Sequence, residues 1–576
     1  MGLLDCIREE MASQGFDYFI FKDCDPHQSE YVNEYYKFRT LISGFDGSNG
    51  TLIVGKDDAY LFTDGRYFIQ AENQLKDTGI KLMKLSTPGY PSIKSFVTDL
   101  VNSGKTVGAS DLVFSYKELV DYGIEYSDKD NCIFLDAYKK AYGKFYPKMN
   151  PDDSIKMLDD KLTGESVTSK IEKVRKYLND KNIDYYFSAS LDSNMWLMNI
   201  RGNAIKYNPV AFSYVMITKK EVAYFYYIND NSENKDAIED TLNELNKIGV
   251  STFYYDNFDV YLNTLPNKET ACFLFDRFPA KYAGILLSKG YKLVNDDCNV
   301  SLNKSIKNDI EIENIKKAYA KANKIVKAFL EDVKKADVSK LNEYDLMVKL
   351  DKMRLDNEDC YDLSFDTISA SGPNGAMMHY ESKKDACSKI LKDNLYLVDS
   401  GGQWKGATTD ITRTIAIGAP TEQMKHDYTR VLRGMLALMN AVFIEGCTGI
   451  NLDILAREPM WEEGDDYKCG TGHGVGYMLS VHEGNHAIRW MTNPSKRETV
   501  LKPGILVSDE PGIYREGQYG IRLENILLVK EKCETPDGRF LCFECLTYVP
   551  LDEELILRDE MSDRELKWLD DYQSKC

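Results

Sequence analysis

Long apolar runs are missing from this sequence of 576 residues. No stretch approaches the ~18 consecutive apolar residues of a membrane-spanning helix, so no transmembrane segment is predicted. The first residues, MGLLDCIREEMASQGF, lack a basic segment followed by an apolar one, which argues against a secretory signal peptide. We therefore expect a cytoplasmic protein that does not bind membranes.

Positive charge is also in deficit, because the formal net charge is −19. Such a chain repels nucleic acid and anionic membranes, so neither is an expected partner. Thirteen cysteines, an odd number without repeating spacing, indicate reduced thiols rather than a disulfide framework. Cys542 and Cys545 form one CxxC pair, but no second pair or nearby histidine completes a zinc site.

The length predicts three domains. The polar, proline-bearing segment 146–154 and the new region that begins near Lys307 place them at residues 1–150, 151–305 and 306–576. Within the first two, a short apolar strand follows a helical stretch, and a strand pair with a lysine-containing turn comes later. The repeated segments are GFDYFIF (15–21) with GTLIVGKDDAYLFTD (50–64), and NIDYYFS (182–188) with VAFSYVMITKKEVAYFYY (210–227). This repetition predicts a duplicated α/β domain.

The third region opens and closes with predicted helices. Residues 310–336 carry apolar side chains at helical spacing with lysines opposite, which is typical of an amphipathic helix. The tail, residues 562–575, predicts a final helix capped by Ser562. Between them the chain alternates helices with strands rich in Val, Ile and Thr, so the fold class is α/β.

Two predicted β-hairpins of this region carry paired acids. In NLYLVDSGGQWKGATTDITRTIAIG (394–418), a turn centred between Trp404 and Lys405 would place Asp399 directly opposite Asp410. In residues 505–529, Glu510 and Glu524 stand at equal distances from Gly517. Opposed residues share one face of the hairpin and lie about 5 Å apart.

A solvated strand residue is the ordinary alternative for each acid taken alone. The flanking residues are apolar, however, and an unpaired charge in a buried strand is unfavourable. The histidines support convergence, because five of the six lie between residues 379 and 486. His473 lies in the glycine-dense segment CGTGHGVGY, with His379 and His482 on either side of it along the chain. His27, His426 and His486 are assigned to packing or surface positions.

Four carboxylates with one histidine form a set dominated by oxygen ligands, which suits Mn²⁺, Co²⁺ or Zn²⁺. Two divalent cations would balance four negative charges. A pair about 3.5–4 Å apart lowers the pKa of a bridging water and polarises a carbonyl group, which is the chemistry of hydrolysis. We therefore predict a two-metal hydrolase.

These motifs resemble the pita-bread metallopeptidases, the group of methionine aminopeptidase, prolidase and aminopeptidase P. The resemblance is closest to the three-domain cytosolic Xaa-Pro aminopeptidases, through FRTLISGFDGSNGTLIV (38–54), LFTDGRYFIQAE (61–72), SFDTISASGPNGAMMHY (364–380), YLVDSGGQ and LKWLDDY. It implies two tandem creatinase-like α/β domains followed by a pita-bread catalytic domain. It also implies hydrolysis of the bond before a penultimate proline, with a hydroxide generated between two metals, most simply Mn²⁺, as nucleophile.

The resemblance implies a role for each residue of the motifs. Asp399 would hold one metal, Asp410 and Glu524 would bridge both, and His473 with Glu510 would hold the other. Glu510 would also carry the proton. His379 and His482 would line the substrate site and stabilise the tetrahedral intermediate. Tyr514 and Arg522 would support the ligands, and Arg66 would reach the substrate entrance; for these three residues a purely structural role competes.

Two positions depart from the family pattern. Cys469 stands where the family usually has the first histidine of HGTGHG, and Asn485 stands where it usually has proline after VHEG. Neither change removes a metal ligand, but both leave subsite preference and rate open. The resemblance further implies a homodimer.

Two other functions compete with the aminopeptidase. A prolidase would cleave only Xaa-Pro dipeptides with the same metals, and two tandem N-terminal domains favour the aminopeptidase over it. A non-catalytic pita-bread scaffold would bind proteins, but such relatives lose metal ligands that are all present here.

Overall fold

A computed structural model describes residues 2–124, 132–491 and 498–576. Within these residues no helix combines the length and the apolar character needed to cross a bilayer. The chain divides into two compact units, Met1–Leu158 with Glu165–Val300 and Asp159–Gly164 with Ser301–Cys576. The domain boundaries expected at residues 150 and 305 stay predictions.

Strands and helices alternate along both units. The strands are β1 Tyr18–Lys22, β2 Thr51–Gly55, β3 Ala59–Thr63, β4 Lys81–Lys84, β5 Val107–Ala109, β6 Ile155–Met157, β7 Tyr185–Ser188, β8 Ile200–Gly202, β9 Ser213–Thr218, β10 Val222–Tyr226, β11 Ser251–Tyr254, β12 Thr270–Phe273, β13 Lys292–Asn295, β14 Cys360–Leu363, β15 Ile368–Ser371, β16 Asn394–Trp404, β17 Ala407–Ile417, β18 Val442–Ile444, β19 Gly472–Gly474, β20 Glu483–Ile488, β21 Leu506–Asp509, β22 Gly512–Arg515, β23 Tyr519–Arg522, β24 Asn525–Thr535 and β25 Gly538–Cys545. The helices are α1 Leu3–Ser13, α2 Phe38–Ser43, α3 Phe68–Gln74, α4 Ile93–Asn102, α5 Tyr116–Tyr122, α6 Cys132–Tyr142, α7 Asp160–Thr163, α8 Val167–Lys181, α9 Leu191–Met198, α10 Lys235–Lys247, α11 Phe258–Thr264, α12 Ala280–Ser288, α13 Val300–Ser305, α14 Asp309–Lys335, α15 Glu343–Leu355, α16 Glu422–Met439, α17 Gly449–Trp461 and α18 Asp563–Gln573.

The first unit contains two large sheets that share a five-stranded topology, to which the second sheet adds β13, and a small sheet of β6 and β8. One has the order β4-β3-β2-β1-β5, and the other has the order β11-β10-β9-β7-β12-β13. The three central strands, β3-β2-β1 in one sheet and β10-β9-β7 in the other, pair antiparallel. The strands on either side of them, β4 and β5 in one sheet and β11 and β12 in the other, pair parallel to their neighbours in the centre. The repeated segments of the sequence occupy equivalent strands of the two sheets, as expected for duplicated domains.

The second unit is built on a four-stranded sheet and a six-stranded sheet. Strand β16 pairs with β17 along one edge and with β14 and β15 along the other. The second sheet has the order β18-β25-β24-β21-β19-β20, and β22 with β23 forms a separate hairpin. Every residue of β17 is buried, which explains why this strand lacks the polar alternation of a one-sided sheet.

Helix signals in the sequence agree with the structure. Helix α14 spans 27 residues, and Asn308 caps it by accepting hydrogen bonds from the backbone N–H groups of Ile310 and Glu311. Ser562 caps α18 together with Glu565. Both predicted helices of the third region are therefore confirmed.

Candidate metal centre

The first acidic hairpin forms, but with a different register from the predicted one. Asp399 lies opposite Thr412, and Asp410 lies opposite Gly401. The predicted direct opposition of the two aspartates is therefore wrong by two residues. The cause is the turn, because Gly406 adopts a φ of 95° and shifts the centre of the hairpin to Lys405 and Gly406. A shift of two keeps both aspartates on one face, as diagonal neighbours.

The second acidic pair has the register that the sequence predicts. Gly512 pairs with Arg522 beyond the two glutamates, and Asp509 pairs with Asn525 before them. Glu510 and Glu524 therefore lie between two ladders of the same register. Their backbones are anchored separately, because Glu510 N–H donates to the Thr471 carbonyl at 2.8 Å and Glu524 N–H donates to the Thr412 carbonyl at 3.1 Å.

Glycine-rich strand β19 brings one imidazole to the carboxylates. His473 Nε2 lies 3.5 Å from Asp410 Oδ2 and 3.4 Å from Glu510 Oε1. One ligand atom from each of Asp410, His473 and Glu524 lies within 4.8 Å of the others. Gly472 permits this approach, because a Cβ there would meet the Ser508 carbonyl oxygen at 1.9 Å.

Three of the carboxylates keep an oxygen with no partner among residues 2–124, 132–491 and 498–576. Asp399 Oδ1, Asp410 Oδ1 and Glu524 Oε1 are buried and accept no hydrogen bond from the described residues. These side chains belong to residues that are only 1% to 8% exposed. Unpaired buried carboxylate oxygens are unfavourable without a counter-charge, so the donor set fits hard divalent cations.

The same crowding perturbs the protonation of the centre. Burial raises the pKa of Asp399 to about 7, with the charge of Asp410 adding to the rise and Arg522 opposing it. Burial lowers the pKa of His473, but the carboxylates of Asp410 and Glu510 outweigh it and bring the pKa to about 9. Burial and the neighbouring acids raise the pKa of Glu524 well above its ordinary value.

Arg522 connects the centre to its surroundings. Its guanidinium donates to Asp399 Oδ2 at 2.7 Å, and it also reaches the Tyr514 hydroxyl at 3.0 Å and the Met378 carbonyl at 3.4 Å. Thr412 Oγ1 lies 3.3 Å from the same guanidinium. Tyr514 and Arg522 therefore lie together beside Asp399, where the predicted supporting role would place them.

Two hydroxyl groups at the centre were not among the predicted residues. Thr412 donates from Oγ1 to Glu524 Oε2 at 2.8 Å, and Ser508 donates from Oγ to Glu510 Oε1 at 3.0 Å. A signal for both exists in the sequence: Thr412 follows Asp410 by two residues, and Ser508 precedes Glu510 by two. In a β-strand that spacing places side chains on the same face.

The remaining predicted residues have different surroundings. The His482 ring makes an edge contact with the His473 ring, with centroids 4.3 Å apart. His379 is exposed and follows Met378, whose carbonyl accepts from Arg522. Arg66 belongs to the first unit, where its guanidinium forms two hydrogen bonds to Asp64. Its role at a substrate entrance stays a prediction.

The two departures from the family pattern occupy different environments. Cys469 is partly exposed and packs against the core of the second unit, and its carbonyl accepts from Arg457. Burial raises the pKa of Tyr514, and the nearby Cys469 adds to the rise. Asn485 is exposed on β20. Cys469 is therefore the substitution that lies near the ligand-supporting residues.

Comparison with known proteins identifies the family. The model for Metallopeptidase family M24 matches residues 313–531, and that for the C-terminal region of peptidase_M24 matches 539–576. Two models for the Creatinase/Prolidase N-terminal domain match residues 4–123 and 146–311. A probable Xaa-Pro aminopeptidase P of Laccaria bicolor is 37% identical over 590 residues, which cover 99% of this chain and 88% of that protein. The chain belongs to the Xaa-Pro aminopeptidase P family.

Other relatives of this aminopeptidase P family member agree. A probable Xaa-Pro aminopeptidase P of Sordaria macrospora is 36% identical, covering 98% of this chain and 94% of that protein. The X-prolyl aminopeptidase from Caenorhabditis elegans, described as a cytosolic enzyme with a di-nuclear active site, has a TM-score of 0.89 and 28% identity over 100% of this chain and 95% of that chain. Prolidase from Pyrococcus furiosus covers only 65% of this chain, with a TM-score of 0.51 and 27% identity.

These findings confirm the predicted family, the α/β fold class with creatinase-like N-terminal domains and a pita-bread catalytic domain, and the assignment as an aminopeptidase of the hydrolase class.

Proposed function

We propose that this aminopeptidase P family member removes the residue that precedes a penultimate proline, at a centre of two divalent metal ions. Asp399, Asp410, His473, Glu510 and Glu524 would hold the metals. The observation that supports this assignment is the set of buried carboxylate oxygens that accept no hydrogen bond from the part of the chain that the structure describes. Mn²⁺ is the proposed metal, with Co²⁺ and Zn²⁺ as alternatives suited to the same donors.

When bound, two such metals polarise a peptide carbonyl and lower the pKa of a water molecule. The protein's own part is positioning and proton transfer. Glu510, oriented by Ser508 Oγ at 3.0 Å, is proposed to carry the proton to the leaving proline nitrogen. His482, in ring contact with His473, and His379 are proposed to hold the substrate and stabilise the tetrahedral intermediate.

Proline explains why a dedicated site is needed. An Xaa-Pro amide has no N–H for a peptidase to bind, and the proline ring restricts the preceding residue. The acidic centre would also attract the free α-amino group of the substrate, which accounts for cleavage at the N-terminus. Tyr514 and Arg522 are proposed to hold Asp399 in orientation, and Arg66 is proposed to contact the peptide at the entrance.

A homodimer and a cytosolic location complete the proposal. The family resemblance supports the homodimer, and the description of the Caenorhabditis elegans relative as a cytosolic enzyme supports the location.

The deciding experiment compares an Xaa-Pro-Xaa tripeptide with the matching Xaa-Pro dipeptide, using protein loaded with Mn²⁺ after chelation. The proposal expects hydrolysis of the tripeptide that is lost with the metal. Cleavage of the dipeptide alone would indicate a prolidase. A metal content near zero after reconstitution, with no hydrolysis, would indicate a binding scaffold.

A further inference from the structure

A second buried carboxylate in this unit belongs to no part of the metal centre. Glu343 is the first residue of α15 and is 0% exposed. Its side chain accepts from the backbone N–H of Ser371 at 2.7 Å and of Ser388 at 2.8 Å. It also accepts from Asn374 Nδ2 at 2.9 and 3.0 Å and from the Tyr380 hydroxyl at 2.6 Å.

All of these donors are neutral. Among the described residues no lysine, arginine or histidine forms an ion pair with Glu343, so neutral hydrogen-bond donors and the N-terminus of α15 surround its carboxyl group. The backbone joins the same contact, because Glu343 N–H donates to the Ser388 carbonyl and the Glu343 carbonyl accepts from Ser369 Oγ. The carboxylate thus accepts hydrogen bonds from four residues of the segment from Ser371 to Ser388.

That segment also contacts Arg522, which lies beside the metal centre. The Met378 carbonyl accepts from Arg522, the residue that also binds Asp399. Gly375 packs backbone to backbone on Gly520 of β23, where an added Cβ on Gly520 would meet the Gly375 carbonyl oxygen at 1.7 Å. Residues 372–380, which we call the His379 loop, therefore lie between Glu343 and the hairpin that carries Arg522.

We infer that Glu343 is a positioning residue for the peptidase reaction, and that it acts through Tyr380 to fix His379 and the Met378 carbonyl. The inference rests on the proposed function, because His379 is a substrate-binding residue only within it. Tyr380 is the direct link, since it is bonded to the carboxylate and is the neighbour of His379 along the chain. His379 itself is exposed, so the hydrogen bond between Tyr380 and Glu343 restricts the backbone of His379 from its buried side.

The variant Tyr380→Phe tests the inference with the smallest change, because it removes one hydroxyl and keeps the ring. We expect kcat for an Xaa-Pro-Xaa tripeptide to fall about ten-fold, since small misplacements of a catalytic group reduce the rate strongly. Metal content and melting temperature should stay near those of the wild type. The matched control is Tyr428→Phe, which removes a buried hydroxyl that accepts from the Asp552 N–H.

Comparing Tyr380→Phe in the wild type and in a His379→Ala background distinguishes a positioning role of Tyr380 from a general effect on stability. If Tyr380 acts through His379, Tyr380→Phe should change kcat less than about two-fold in a His379→Ala background. An equal fold-loss in both backgrounds, or no loss in the wild-type background, overturns the inference.

Proteolysis provides a readout that needs no activity. Lys383 and Lys384 are exposed within the anchored segment, so trypsin reports how firmly it is held. Cleavage there should be faster in Tyr380→Phe, and faster still in Glu343→Gln, than in the wild type and Tyr428→Phe. If the Mn²⁺-loaded wild type does not hydrolyse the tripeptide, the proposed function fails. In that case equal cleavage rates overturn the anchor as well, and faster cleavage in Tyr380→Phe retains it.

Discussion

Asp410 presents its two carboxylate oxygens differently at the candidate centre: one lies 3.5 Å from His473 Nε2, and the other has no protein partner among the described residues. In the absence of metal it adds a negative charge to a site where the acids already raise one another's pKa. Apart from its attraction to protonated His473, this charge should be favourable only when cations are bound.

The change Asp410→Asn should therefore have opposite effects on stability and on activity. We expect turnover to fall by at least ~100-fold, because a ligand proposed to bridge both metals is lost. In chelator above about pH 9, where His473 has lost its proton, the melting temperature should equal or exceed that of the wild type, since one repelling charge is gone. Added Mn²⁺ should raise the melting temperature of the wild type only.

Asp356→Asn serves as the control for this measurement, since Asp356 is an exposed partner of Lys352 in the same unit. Full activity of Asp410→Asn would contradict the ligand role, as would an equal Mn²⁺ shift in both proteins.

The pH dependence of metal binding follows from two of the ligands. In the metal-free protein the pKa of Asp399 is about 7 and that of His473 is about 9. Both must lose a proton to bind a cation, so the affinity for Mn²⁺ should rise with pH. We expect at least about ten-fold per unit between pH 7 and 9, because the raised pKa of Glu524 can only add to the protons released, and a steeper rise below pH 7.

Titration calorimetry at several pH values, in buffers of different ionisation enthalpy, measures both the affinity and the protons released. An affinity that does not change between pH 6 and 9 would contradict this assignment of the protonation states.

At the scale of elements, β20 is held by a buried ion triad. Glu483 binds Lys304 Nζ at 3.0 Å and Lys307 Nζ at 2.5 Å, and all three side chains are at most 4% exposed. Burial alone would raise the pKa of Glu483, but the two lysine charges hold it below its ordinary value. Because His482 precedes Glu483, the triad fixes the end of β20 nearest the centre.

The stability of this triad should depend on which charge is removed. Glu483→Gln leaves two buried ammonium groups without a counter-charge, so we expect a loss of about 3–5 kcal/mol in the free energy of unfolding. Lys307→Met leaves the neutral pair of Lys304 and Glu483 and should be less destabilising. Urea unfolding at pH 7 measures both, and a larger loss in Lys307→Met would contradict the charge argument.

At the scale of the whole molecule, all five candidate ligands lie in one of the two compact units. Metal binding should therefore protect that unit selectively. We expect Mn²⁺ to slow amide hydrogen exchange in β16, β17, β19 and β24, and to leave the sheets of the first unit unchanged. Exchange measured by mass spectrometry on chelated and Mn²⁺-loaded protein tests this expectation. Equal protection of both units would show that the candidate ligands do not account for metal binding.

The sequence by itself determined the duplicated α/β domains, the amphipathic helix α14, the cap at Ser562 and the family. These features depend on local patterns of apolar spacing, capping residues and contiguous motifs. Interactions between residues that are close in the sequence determine such patterns. The sequence also determined the register of Glu510 and Glu524 about Gly517, because the strand pairs on both sides of the two glutamates are symmetric about the same residue.

Only the tertiary structure decided the features that depend on distant partners or on a single backbone conformation. The positive φ of Gly406 moved the first hairpin by two residues, a choice that apolar alternation cannot specify because both registers bury the same face. The anchoring of the His379 loop by Glu343 joins groups up to 45 residues apart, and the triad at Glu483 joins groups up to 179 residues apart. Such contacts form only when the packed core brings separate elements together, so no local pattern encodes them.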